Sequence, residues 1–448
     1  MKNITIIICF VILILFSVEL TTAQNSNYLN PASSFYTNKM IFASTMVLPS
    51  QTADSVDIFI FYRLQLNEFL FTNISDEYVS KYSLEFSLAD STGVIKFSKV
   101  VLDSFKLSKQ ISPTDPIQFQ LNFIKFRINK ANYTVQIRAI DNYTKNSDKS
   151  SFALNLFDLK YKQNSFANIV FLENHRSFFT PIILNNNLNF SENPIEFGIF
   201  FFNGNSNNIK YEIEKKYNNA KAIDPWGNFQ KQTGQITIYP FSQPIINKTE
   251  NSIEIRFPEE ASLPGPSDAG TEKFGKINFK NNIFSPGDYV LKIYTLKEDT
   301  IEYKFKVIWE DEPISLLNIN YALNISKLFF NDDEMNKIEE GDYNEQFKNL
   351  IEAWKPFDPN RDTPYNEAMN EFYKRVDYAY KNYSTFNEKN GALTDKGKVY
   401  ILYGTPDKIE QKFKNGKLYE IWVYTSLLKE FTFETVESGV FKIVNIKE

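Results

Sequence analysis

The stretch Ser55–Leu66, SVDIFIFYRLQL, decides how the first three hundred residues are read. If it is extended, Val56, Ile58, Ile60, Tyr62 and Leu64 fall on one face, because side chains alternate with period two along a strand. Short runs of the same kind recur on both sides, at residues 40–48, 82–88, 94–102, 117–126, 133–140 and 152–159. Turn chemistry separates them at Ser91-Thr92-Gly93 and Pro113-Thr114-Asp115-Pro116. Seven short strands at this spacing predict an antiparallel β-sandwich of immunoglobulin-like type over residues 34–161. A second block of similar pattern runs over 166–310, with candidate strands at 195–202, 209–217, 235–239, 252–257, 276–279, 288–295 and 301–309. Pro286-Gly287-Asp288 is a turn leading into one of them, and 263–275 is a Pro/Gly loop.

Composition leans the same way. The 448 residues include 42 Phe and 25 Tyr, side chains suited to half-buried pleated surfaces. This length exceeds one ordinary core. A formal net charge of −5 leaves no basic footprint for nucleic acid.

At the N-terminus Lys2 precedes an apolar run from Ile4 to Phe16, and Thr21 and Ala23 stand at −3 and −1 of a small-residue cleavage site before Gln24. This pattern predicts a signal peptide over 1–23 and an exported protein, periplasmic, outer-membrane-associated or secreted, in a bacterium. Cys9 lies inside that run, so the mature chain would hold no cysteine for disulfides or thiolate chemistry. No later stretch is long and apolar enough to span a membrane as a helix.

The pattern changes after Asp311. Asp332 or Asp333 can cap a helix through Ile338, and Tyr343, Phe347, Leu350, Ile351 and Trp354 keep helical spacing until Pro356 and Pro359. Thr363 is placed as the N-cap of the next helix, with Pro364 at its first position. Met369, Phe372, Val376, Ala379, Tyr380 and Tyr383 line one face of that helix. Strands are expected at 399–403, 418–424, 431–433 and 440–444, with Asn415-Gly416 and Glu437-Ser438-Gly439 as turns. Residues 331–448 thus form a small α+β domain, and the fold class is mainly β with an α+β C-terminal domain.

The residues of that domain resemble the GWxTD family of bacterial exported proteins. The resemblance rests on Trp354, Asp358, Pro359, Arg361, Asp362, Thr363, Asn366 and Glu367, continues through Phe372, Arg375 and Val376, and includes Gly391, Thr394, Asp395, Gly397, Val399, Tyr400, Tyr403, Gly404, Pro406, Asp407 and Ile409. Tyr419, Glu420, Trp422 and Tyr424 complete it. The tryptophan of the name motif is replaced by Ala392. The resemblance implies an exported location and a β-rich partner region, and it implies no reaction.

The candidate site is the polar set Arg361, Asp362, Asn366, Glu367, Thr394, Asp395 and Asp407. Two carboxylates and an arginine in one pocket can do acid–base work. The same residues can also serve structure: Thr394-Asp395 before Gly397 as a self-capping turn, Asp362-Thr363-Pro364 as a helix start, and Arg361 as a bidentate partner for Asp395 or Asp407. His175 is the single histidine and no serine sits in a Gly-x-Ser-x-Gly elbow, so no serine-hydrolase set is legible. One histidine and no mature cysteine give no metal site, and no cofactor motif is present. The reading is a non-enzymatic envelope protein that docks other proteins. The alternative is a ligand-binding protein or enzyme using the polar C-terminal cluster.

Overall fold

The computed structural model describes residues 39–448 except 51–54, 110–117, 130, 156–164, 191–194, 203–208, 218–223, 228, 241–242, 251, 258–272, 280–282, 295–299, 362, 437–438 and 448. The expected signal peptide, the Pro/Gly loop at 263–275 for most of its length, and Asp362 lie outside these residues. The chain divides into two compact units, one of Asn38–Ala220 with Phe229–Glu310, the other containing Lys221–Asn228 and Asp311–Glu448.

The first unit is built from sheets. In its N-terminal half, β1 (Ile41–Pro49), β2 (Ser55–Gln65) and β6 (Phe119–Asn129) form one antiparallel sheet in the order β1-β2-β6. A second sheet runs β3 (Thr72–Ile74), β4 (Glu77–Asp90), β7 (Asn132–Asp141), β8 (Ser147–Asn155), with β5 (Ile95–Ser108) paired to β4. Tyr62 on β2 meets Phe86 on β4 at a ring distance of 5.7 Å, so the sheets face one another as layers. Ser55–Leu66 behaves as its alternation predicts on one face, with Val56, Ile58, Ile60 and Leu64 fully buried. On its other face Asp57, Phe59 and Phe61 are buried too, and the buried charge is paired. Asp57 is held by Arg127 Nε (2.7 Å) and Lys125 Nζ (2.9 Å). Burial would raise the Asp57 pKa, but these two cations outweigh it and keep it below the usual carboxylate range.

The second half adds a sheet of order β15-β18-β12-β9-β10-β17-β16 and another of order β11-β20-β19-β13-β14. Here β9 is Ser165–Asn174, β10 Phe179–Pro181, β11 Leu188–Asn189, β12 Ile195–Phe202, β13 Lys210–Lys216 and β14 Gln232–Gln235. The remaining strands are β15 Thr237–Pro240, β16 Ile245–Lys248, β17 Ile253–Arg256, β18 Lys273–Phe279, β19 Gly287–Tyr294 and β20 Thr300–Ile308. Phe171, Phe197, Phe284 and Phe305 interlock between the layers at ring distances of 5.2–6.2 Å. Tyr289 Oη donates to the Ser285 carbonyl (2.8 Å) and so pins the Pro286-Gly287 turn.

The two halves share one unit because β1 is sealed by the second half. Ala43 N–H donates to Asn185 Oδ1 (3.1 Å), Thr45 N–H to Asn186 Oδ1 (3.2 Å), and Ser44 Oγ to the Ile182 carbonyl (2.8 Å). Asn185 and Asn186 adopt left-handed backbone angles that turn their amides toward this edge. An edge strand is thereby closed by side chains rather than left as a template.

The other unit carries α1 (Ile319–Ser326), α2 (Asp332–Ile338), α3 (Tyr343–Trp354), α4 (Glu367–Asn382) and α5 (Asp395–Tyr403), then the antiparallel sheet β21 (Lys408–Lys414), β22 (Lys417–Tyr424), β23 (Lys429–Thr435), β24 (Phe441–Lys447). Asn415 and Gly416 both have positive φ, as the Asn-Gly hairpin predicts. Three expectations are corrected. Residues 399–403 are helix, not strand. Apolar residues crowd α5 because it is buried on more than one side, so it shows no amphipathic stripe and its β-branched and aromatic run imitates a strand. Asn331, not Asp332 or Asp333, caps α2, in a capping box with Glu334. Asn366, not Thr363, caps α4, because the Thr363 hydroxyl is turned to the carbonyls of Asn360 and Tyr365 (2.8 Å each).

Candidate functional site

The segment Gly391–Gly397 sits where α4, α5 and the sheet meet. Thr394 Oγ1 donates to the Gly391 carbonyl (2.7 Å) and accepts from Gly397 N–H (3.0 Å), so one hydroxyl closes the turn before α5 and caps that helix. Asp395 opens α5, where a carboxylate complements the helix dipole. Its Oδ2 accepts the Ile443 N–H of β24 (3.0 Å), and Lys442 Nζ stands 3.5 Å from Oδ1. The two glycines allow close approach: a Cβ on Gly391 would overlap the Ala379 carbonyl oxygen of α4, and one on Gly397 would overlap the Gly391 carbonyl oxygen.

Ala392 is completely buried, so its place is filled without an indole. Its N–H donates to Asn390 Oδ1 (3.1 Å), which also accepts from Tyr321 Oη (3.1 Å).

The other residues of the predicted set lead elsewhere. Asn366 Oδ1 accepts Met369 N–H (2.9 Å), and its Nδ2 donates to the Trp354 carbonyl (2.7 Å), tying the start of α4 to the end of α3. Asp407 accepts Thr425 N–H (2.6 Å) and fastens the turn after α5. Glu367 is half-buried in the first turn of α4. Arg361 is exposed and has no ion pair among the described residues, so the bidentate contact to Asp395 or Asp407 is not formed. Asp362 lies outside the described residues. The structure therefore brings together Thr394 and Asp395, and gives Asn366 and Asp407 separate structural bonds.

The strongest electrostatic feature was missed by sequence reasoning. Lys396 Nζ pairs with Glu420 Oε1 at 2.7 Å, with both side chains nearly buried, and lies 3.4 Å from the centre of the Phe441 ring. Trp422 Nε1 (2.7 Å) and Gln411 Nε2 (3.1 Å) also donate to Glu420. Burial pushes the lysine pKa down, against the pull of Glu420. Burial would push the glutamate up, but Lys396 and Trp422 bring it below its ordinary value. Lys396 also stands within 6.0 Å of the Trp422 and Phe433 rings, which pack in one cluster with Val399, Tyr424 and Phe431. One signal for it was present: period two along β22 puts Glu420 on the face of Trp422 and Tyr424, and a carboxylate in a buried register requires a partner.

A second buried carboxylate makes a pH prediction. Asp377 on α4 accepts the N–H groups of Ile314 (2.7 Å) and Ser315 (2.9 Å). Burial outweighs those bonds and raises its pKa to about 6. Glu312 is raised to about 7 by burial and by Asp311. The folded unit then holds protons that the unfolded chain has released, so these groups favour folding at acid pH and lose that contribution as pH rises from about 4 to about 7. Melting of the helix–sheet unit is expected to fall between pH 5 and pH 8, and Asp377→Asn is expected to flatten the slope by on the order of 1–2 kcal/mol. A slope unchanged in the variant would show that Asp377 does not carry it.

Comparison with known proteins places this geometry. The GWxTD domain model matches residues 293–442, beginning inside β19 and taking in the whole segment just described. No curated protein sequence matches the chain. Among solved structures, a beta-glucuronidase 2 of Bacteroides uniformis aligns at 12% identity over 33% of this chain and 16% of its own, with a TM-score of 0.19. The BspA C-terminal domain of Streptococcus agalactiae aligns at 9% identity over 59% of this chain and 99% of its own, with a TM-score of 0.15. An alpha-2-macroglobulin of Escherichia coli aligns at 10% identity over 61% and 22%, with a TM-score of 0.14. Scores this low carry no argument about fold or function.

Proposed function

We propose that this chain, whose residues 293–442 form a GWxTD domain, is an exported bacterial envelope protein that docks another protein and catalyses no reaction. The carrying observation is β5, an edge strand of fourteen residues. It pairs with β4 on one side, and its other edge is unpaired among the described residues. Ile95, Val100 and Leu102 stand out from it, 61%, 61% and 75% exposed. Exposed Lys96, Lys99, Asp103 and Lys106 alternate with these apolar side chains, so the open edge is of mixed character, whereas β1 is closed by neighbouring side chains. An edge left open is suited to accept an extended segment of a partner, with backbone bonds giving affinity and side chains giving specificity.

Two further observations support the reading. The polar groups of the GWxTD segment are occupied in holding α4, α5 and the sheet together. No helix among the described residues is long and apolar enough to cross a membrane.

Crosslinking in native envelopes tests the reading, with a Val100→Lys/Leu102→Lys chain beside the parent. The expected result is one reproducible protein partner, lost in the variant while melting is unchanged, since exposed substitutions usually cost less than about 0.5 kcal/mol. No consistent partner, or equal capture by the variant, would contradict it.

A further inference from the structure

The C-terminal sheet ends on an open edge. β21 pairs with β22 along one side in continuous register from Lys408 to Lys414, and nothing among the described residues pairs with its other side. Cross-strand partners share a face, so Ile409, Gln411 and Phe413 lie on the face of Trp422, Glu420 and Leu418. On that face Tyr383 meets Trp422 and Tyr403 meets Tyr424. β21 lies beyond this cover: Ile409 is 52% exposed and Phe413 76%. Lys408, Glu410, Lys412 and Lys414 lie on the opposite face, with Glu410 between Lys408 Nζ (2.8 Å) and Lys412 Nζ (3.2 Å).

Sheet edges are ordinarily guarded by a proline, a bulge or a charge on the covered face. β21 has none of these. Asn415-Gly416 is a two-residue hairpin turn, and the residues that flank such a turn, here Lys414 and Lys417, exchange backbone bonds. Bonding alternates from there, so Phe413, Gln411 and Ile409 turn their N–H and C=O groups to the open side. An antiparallel second β21 can use them with the two apolar faces matched, and the charges choose its register. Centred on Gln411, it sets Ile409 opposite Phe413 and Glu410 opposite Lys412, each twice by two-fold symmetry. Centring on Glu410 opposes two glutamates at the axis, and centring on Lys412 opposes two lysines. Centring on Ile409 leaves Phe413 outside the overlap. The one unfavourable pairing in the chosen register, Lys408 with Lys414, falls at the strand ends, where both side chains reach into water.

We infer that two copies of this chain pair through β21, antiparallel about Gln411, joining two four-stranded sheets into one of eight strands. Backbone bonds supply the attraction, Ile409 and Phe413 cover one another, and Glu410 with Lys412 of the second copy fixes the register. Seven residues make a small contact, so the pair forms and separates readily, with a dissociation constant in the micromolar range. This self-pairing does not depend on β5 docking a protein.

Sedimentation equilibrium of the full chain, between about 1 and 500 µM, tests the pairing through its charges. The parent is expected to show a monomer–dimer equilibrium that added salt weakens. Glu410→Lys sets lysine opposite lysine, and Lys412→Glu sets glutamate opposite glutamate. Each alone is expected to weaken dimerisation about tenfold or more. Mixed in equal amounts, the two variants are expected to pair with each other as tightly as the parent does, because every lysine then meets a glutamate. The double variant Glu410→Lys/Lys412→Glu is expected to dimerise like the parent for the same reason. Phe413→Ser is expected to weaken dimerisation as well. All of these chains are expected to melt as the parent does, since the side chains changed are exposed or half-exposed. A parent that stays monomeric throughout, dimers that survive both single charge variants, or single variants that fail to pair when mixed would overturn the inference. Dimers lost instead in Val100→Lys/Leu102→Lys would overturn it too, and would move the contact to β5.

Discussion

Gly391→Ala is expected to unfold the helix–sheet unit or to lower its melting point by roughly 8–16 °C, the equivalent of about 4 kcal/mol in a unit of this size. The added methyl would overlap the Ala379 carbonyl oxygen and lie 2.5 Å from Ser384 N and 2.6 Å from the Tyr383 carbonyl carbon. All three obstacles are backbone, at the end of α4, so none can swing aside as a side chain would. Gly397→Ala meets the carbonyl of Gly391 itself, with that carbonyl carbon 2.9 Å away, and is expected to behave alike. Leu393→Ala is the control: the side chain is 37% exposed, and its loss is expected to move melting little. Tryptophan fluorescence reports the transition, because Trp354 and Trp422 are both buried in this unit. A Gly391→Ala chain that melts cooperatively within a degree or two of the parent would refute the close contact.

Glu420→Ala is the second large effect. It leaves the Lys396 ammonium nearly buried among Trp422, Phe433 and Phe441 without its carboxylate, and it strands the Trp422 indole N–H. Breaking one side of a buried pair typically costs about 3–5 kcal/mol, because the surviving charge stays desolvated. Removing both charges is a different matter. Lys396→Met/Glu420→Leu replaces the pair by apolar groups of similar size, and it is expected to be more stable than Glu420→Ala, with a residual cost from the Trp422 and Gln411 donors. Urea denaturation of the three chains checks the order. A double variant as unstable as the single one would show that the cost comes from packing and not from an uncompensated charge.

These effects explain what could be read in advance. Alternation in Ser55–Leu66 was enough to identify a strand and its inner face, because period two is a local property. It could not show that Asp57 on the other face is buried and Arg63 half-buried, since their partners Arg127 and Glu310 are far along the chain. The Asn415-Gly416 hairpin was legible because left-handed geometry is written into those two residue types. Val399–Tyr403 misled because packing from several directions overrides local preference. Asn366 was hidden behind Thr363, an equally good cap by composition; the choice is made by the Trp354 carbonyl, which only the fold brings near. In the candidate set, the chemistry of each side chain was plain and its direction was not. Carboxylates that could serve catalysis instead hold N–H groups of the chain, Asp395 at Ile443 and Asp407 at Thr425.

The central claim is that the Thr394-Asp395 pair of the GWxTD segment is architecture, and the melting temperature of Asp395→Ala tests it most directly. That change removes the acceptor for Ile443 N–H and a favourable charge at the start of α5, together worth about 1–2 kcal/mol. The account predicts a melting point of the helix–sheet unit lowered by several degrees. A melting point equal to or above that of the parent would contradict it, because a carboxylate kept for a ligand or partner can be removed without loss to the fold.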